Sequence, residues 1–286
     1  MPDEADHWIF ASYIRHLDRR IGTRLTDTER TQICEFAHSH FETIDRCNAL
    51  FNGVTRAIHL TEVVLATLEG QWLLAKQVDP SELRHVLLAV WCHSAAFADT
   101  LPGDDRLPLG IPNDGWWPWV YDRSATLCAR AAQAVSGVDV AKLVALSQAC
   151  GFGPVAVDHR PDVNDVTSVT SVTSVTSVTS ATNVTQAPNT QLIQRVRAAW
   201  LISLASDADQ SSKLKPLWTA LRYWSSQNEC ETRGVLGEIP EWIDFPAQWK
   251  GLLSQWSRTA MAPAVELLEL TEDGRDHLEH LRRALQ

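Results

Sequence analysis

Three residues stand where their types and spacing could do chemistry: His59, Glu62 and His93. His59 and Glu62 are three apart, so on one helix their side chains meet. His93 lies among Val86, Val90 and Phe97 at helical spacing, which makes it a polar group on an apolar face. Imidazole nitrogens and carboxylate oxygens are ligands for divalent metals. The plainer readings are a charge pair on a solvent face for His59 and Glu62, and a core histidine satisfied by one hydrogen bond for His93. No GxSxG, P-loop, GxGxxG or HExxH sequence is present.

The element that must position His93 runs from Ser81 to Phe97. Asp79 can cap it and Pro80 can occupy its first turn. From Leu83 onward apolar residues point all round the helix, which predicts burial on every side. Arg84, His85 and His93 interrupt it, and it is too short to span a bilayer. It is therefore expected to be the central helix of a helical domain. His59 and Glu62 belong to a helix over about Val54 to Ala75. Val54, Ala57, Ile58, Thr61, Val64, Leu65, Leu68 and Trp72 line one face of it, with Gly53 marking a bend before it.

The remaining chain also reads as helical, with no convincing strand pair. Helices are expected at Asp6 to Ile21, from Thr26 (where Thr26 and Glu29 have the form of a capping box) through Phe51, at Asp122 to Val135, and at Val140 to Cys150. Further helices are expected at Thr190 to Leu204, Lys215 to Trp224, Gln248 to Leu270 and Asp273 to Leu285. His38 and His40 are expected to be solvated or half-buried, and His277 and His280 to lie on the polar side of the last helix. The proline- and glycine-rich stretch from Asp99 to Trp119 forbids a long helix. Its carboxylates Asp99, Asp104, Asp105 and Asp114 and its rings Trp116, Trp117 and Trp119 could wall a pocket or pin a surface loop.

From Asp162 the composition changes abruptly. Val-Thr-Ser occurs five times in succession from Val166 to Ser180, a period that fits neither strand nor helix. Without aromatic, leucine or isoleucine residues it cannot offset its ordering entropy by burial. A flexible insertion over 162–189 is expected, dividing one domain into residues 1–161 and 190–286. Hydrophobic residues make up 45% of the 286, enough for a substantial core. The formal charge of −10 argues against nucleic acid or an anionic membrane surface as the main partner. Six cysteines without CxxC spacing read as small core residues of a reduced, cytoplasmic protein, and the acidic N-terminus does not read as a signal peptide.

Several collinear motifs carry a resemblance. Phe51-Asn-Gly-Val-Thr-Arg-Ala57, Val86-Leu-Leu-Ala-Val-Trp-Cys-His93, Tyr121-Asp-Arg-Ser124 and Leu270-Thr-Glu-Asp-Gly-Arg275 are similar to a group of bacterial proteins of the HD superfamily, the HD-subdomain metal-dependent phosphohydrolases. The similarity spans about Phe41 to the end, the Val-Thr-Ser tract excepted. It implies an all-α, HD-like helical bundle. It also implies a metal centre built from a histidine, a His-Asp pair and a distant aspartate, where the metal activates water against a phosphoester.

On that resemblance His59 and His93 are the residual metal ligands. Ser94 stands where the family has aspartate, Trp200 where the distant aspartate is placed, and Val120 where a histidine precedes the Asp-Arg pair. Serine is a poor ligand beside aspartate, and tryptophan is none. The expectation is a degenerate phosphohydrolase that binds a phosphorylated small molecule or a protein partner. Its candidate ligand-binding residues are His59, Glu62, His93, Asp122, Arg123 and Arg56, with Arg197 a further candidate for a phosphate. The rival is an active phosphohydrolase with a divalent metal in a remodelled site. It would draw on carboxylates of the Asp99 to Asp122 region.

Overall fold

The computed structural model describes residues 25–45, 51–76, 78–98, 119–151, 186–206, 210–226 and 239–286. The described residues form ten helices and no strand, as the periodicity predicts. In chain order these are α1 (Asp27–Asp45), α2 (Val54–Ala75), α3 (Pro80–Ala95), α4 (Val120–Ala134), α5 (Val140–Ala149), α6 (Gln186–Ala205), α7 (Gln210–Ser226), α8 (Phe245–Arg258), α9 (Ala262–Leu268) and α10 (Glu272–Leu285). The expected helix at Asp6 to Ile21, the Asp99 to Trp117 loop and the Val-Thr-Ser tract lie outside the described residues.

Local chemistry starts these helices where the sequence places them. The Thr26 hydroxyl accepts from the Glu29 amide at 3.2 Å while the Glu29 carboxylate accepts from the Thr26 amide at 2.8 Å, a reciprocal capping box for α1. Asp79 accepts from the Ser81 amide at 2.8 Å, with Pro80 in the first turn of α3. Asp139 caps α5, and Thr271 caps α10 by accepting from Gly274.

Helix α3 is the centre of the bundle. Every residue from Leu83 to Ala98 is buried. Helices α1, α2, α4 and α5 pack around α3, while α2 also meets α6, α9 and α10. Arg84, one of the three polar interruptions of α3, reaches Glu29 of α1 and the Gly137 carbonyl, tying three elements together. His85, another, holds its ring between the Ser81 carbonyl and the Asp139 amide, 2.6 and 2.8 Å away.

The joint between α2 and α9 is close enough to require glycine. A β-carbon on Gly70 would stand 2.0 Å from the Leu267 carbonyl oxygen.

Several boundaries differ from the sequence reading, among them Phe51, which is expected inside the second helix and lies in a bend outside α1. Helix α6 begins at Gln186, inside the stretch assigned to the insertion. Helix α7 is longer than expected and contains Pro216. The run expected from Gln248 to Leu270 is two helices, broken at Thr259 to Met261, because Pro263 suits a first turn and not a helix interior.

Candidate functional site

His93 is drawn into the core because α3 is buried on every side. Its ring is 3% exposed, which leaves no doubt that the imidazole is cut off from bulk water. The Phe97 ring stands edge-on to it at 5.7 Å between centres, and the Trp200 ring of α6 at 6.3 Å. Burial, and then the positive charge of Arg56, push His93 down to about 3, so it is neutral at ordinary pH. Its Nδ1 has no hydrogen-bond partner among the described residues.

The positions at which the HD resemblance implies lost ligands have found other uses. The Ser94 hydroxyl donates to the Val90 carbonyl of its own helix at 3.0 Å. Val120 is buried at the start of α4. Trp200 stands beside His93, so the structure brings together the two residues that the resemblance pairs across one centre.

The charge of Arg56 is felt at this histidine and also at Cys150. Arg56, in the first turn of α2, is buried, and its guanidinium lies over the Phe51 ring at 5.9 Å. Cys150, wholly buried at the end of α5, is pushed up to about 12 by burial, against which the charges of Arg56 and Arg197 both act. Arg197 of α6 is half-buried, and desolvation lowers it while the neighbouring Tyr121 raises it. The Tyr121 hydroxyl comes so near the chain at Gly151 that a β-carbon there would stand 2.4 Å from it. The free thiols of Cys92 and Cys128 face each other across α3 and α4 in hydrogen-bond contact, and burial raises Cys92 well above its usual value. Thiols held in this state are small core residues and not nucleophiles.

Two sequence candidates serve the scaffold. Arg123 is buried, and its guanidinium donates to the carbonyls of Ala96, at 2.6 Å, and Ala98. It thereby satisfies acceptors that the end of α3 leaves open. Asp122 is exposed on the outer side of α4.

His59 and Glu62 form a separate group. The His59 Nδ1 is 3.9 Å from the Glu62 carboxylate, and its Nε2 is within hydrogen-bond distance of the Ser206 hydroxyl at 3.2 Å. The carboxylate side chain is 45% exposed, so solvent screens the pair and it holds little by itself. The surprise is His277. It is buried, with its ring edge-on to His59 at 5.0 Å between centres, and not on the polar side of α10. Burial, and then the His59 ring, push it down to about 4. Its spacing from Gly274 and Leu281, three and four residues, is the signal that places it on the buried stripe.

These donors do not fit the metal centre that the resemblance implies. Among the described residues no three histidine, cysteine, aspartate or glutamate side chains are grouped as a metal ion requires. His59 faces Ser206 and His277, while His93 faces two aromatic rings. No helix of the described residues is long and apolar enough to cross a membrane. Comparison with protein families, curated proteins and solved structures gave no match, so the functional reading rests on this chain's own residues.

Proposed function

We propose that the chain is a degenerate HD-like phosphohydrolase that holds a small phosphorylated ligand without hydrolysing it, in the cytoplasm. The observation that carries this reading is Trp200 beside His93, ring centres 6.3 Å apart. An HD-type centre needs an anionic oxygen there, to hold a hard cation and the water it activates. An indole offers neither.

Arg56 and Arg197 support the binding half of the reading. The charges of both are felt at Cys150. A guanidinium presents donors in a planar fork that matches phosphate oxygens two at a time. Tyr121 and Arg197 are half-buried, whereas Arg56, Cys150 and His93 are buried.

The test combines elemental analysis of untagged protein for Mn, Fe, Zn, Mg and Ni, an assay with bis(p-nitrophenyl) phosphate, and calorimetric titration with propyl phosphate. The expected outcome is metal below stoichiometry, no hydrolysis, and binding that weakens by about tenfold in Arg197→Gln. A tightly held metal in every chain, lost on changing His59 or His93, overturns the reading in favour of an active phosphohydrolase with a remodelled centre.

A further inference from the structure

Where α2, α3 and α6 meet, the packing leaves a space. Val64 and Leu68 of α2, Val86 of α3, and Leu192 and Val196 of α6 line a cleft of about 200 Å³, counted out to its open mouth. About 10 Å³ of it admits a water-sized group, which is the room of one water or one methyl. The hydroxyl on its wall, that of Thr67, already donates to the Val63 carbonyl at 2.8 Å. A water placed here would lack the polar partners it needs, so the space stays dry. Its walls then forgo contacts that an apolar group would restore. Of the lining residues Arg195 alone carries a charge. It is half-buried, and among the described residues it forms no hydrogen bond or ion pair.

We infer that this cleft binds a short-chain monocarboxylate, of the propionate class, with its alkyl end between α2, α3 and α6 and its carboxylate on Arg195. A guanidinium presents a donor fork that matches a carboxylate. The apolar walls accept an alkyl group and reject a second charge, which would be desolvated there without a partner. The width of the space sets the shape of the tail: an unbranched methyl end enters, and a tert-butyl group does not. The inference is independent of the phosphate-binding reading, because none of Arg56, Arg197, His93, Tyr121 and Cys150 lines this cleft.

The experiment titrates the full chain with propionate at constant ionic strength and follows the methyl resonances of Val86 and Val196. Saturable shifts are expected, with a Kd on the order of 1 mM for so small a ligand. Propan-1-ol keeps the tail and lacks the charge; pivalate keeps the charge and has too wide a tail. Each should bind at least about tenfold more weakly, the loss of one charge-assisted hydrogen bond or of the buried methyl. Arg195→Gln should weaken propionate by a similar factor. Val196→Ile adds one methyl, about what the space admits, and should abolish propionate binding. Both substitutions are mild, and thermal unfolding of each variant confirms that it is folded.

No saturable shift in the wild type overturns the inference. So does binding of pivalate or propan-1-ol as tight as that of propionate, or propionate binding that survives unchanged in Arg195→Gln or Val196→Ile.

Discussion

His277 of α10 packs its ring against His59 of α2, with centres 5.0 Å apart and planes 71° from parallel. A positive charge on His59 thus bears directly on His277. Burial and the His59 ring hold His277 down at about 4, although carboxylates of Glu62 and Asp273 pull the other way.

The acid sensitivity of the fold follows from His277 and two further buried histidines. Burial pushes His40 down to about 4 and His93 to about 3. A histidine whose folded pKa lies below its unfolded value binds its proton more readily when unfolded. Its stabilisation is complete above the unfolded value near 6.5 and is lost as pH falls toward the folded value. Stability is therefore expected to fall between about pH 6.5 and 4, each histidine contributing up to about 1.4 kcal/mol per pH unit. Urea unfolding at a series of pH values checks this. His277→Leu should flatten the slope, and an unchanged slope would show that His277 is not buried in solution.

Trp91 tests the central helix. It is 1% exposed, its indole N–H donates to the Thr61 hydroxyl at 3.1 Å, and Phe41 stands edge-on to it at 6.0 Å. Trp91→Ala should destabilise by roughly 3–5 kcal/mol. Thr61→Val keeps the shape and strands the indole N–H, so it should cost about 1–3 kcal/mol. Denaturant midpoints of both variants measure these values.

Gly70→Ala probes the α2–α9 joint. The added β-carbon would stand 2.0 Å from a backbone oxygen, which cannot rotate away as a side chain could. The expected cost is about 3 kcal/mol. Gly251→Ala is the control, because a β-carbon there meets nothing within 4 Å, and it should be neutral or stabilising. Thermal unfolding of the two variants should separate them clearly.

Arg84→Met should cost about 1–3 kcal/mol by leaving one Glu29 carboxylate oxygen and the Gly137 carbonyl without the Arg84 donor. Arg84 is buried and the Glu29 side chain only 22% exposed, so salt should weaken the contribution in part and not abolish it. An effect of Arg84→Met that disappears at high salt would show the pair to be solvated.

The helices were legible because their signals are local. The Thr26–Glu29 box, the Asp79 cap and the all-round apolar run of α3 are each contained in a few consecutive residues. The break at Thr259 to Met261 was missed because apolar spacing continues across it, and only Pro263 marks it. The site was legible in part. His93, Trp200 and Arg56 do lie together, whereas His59 joins His277, 218 positions along the chain. Arg123 has a phosphate-binder's charge, but its carbonyl partners at Ala96 and Ala98 lie just past the end of α3 and leave no trace in its own neighbourhood.

The Gly70–Leu267 contact also sets a timing problem for synthesis. The face of α2 that α9 covers is translated roughly 200 residues before its cover, a delay on the order of ten to forty seconds at about 5–20 residues per second. Over that interval this one face of α2 stays uncovered, although α3 and α6 can already pack against its other sides, the condition in which holding chaperones engage. Native topology here is set late, by a short helix arriving at a glycine made long before it.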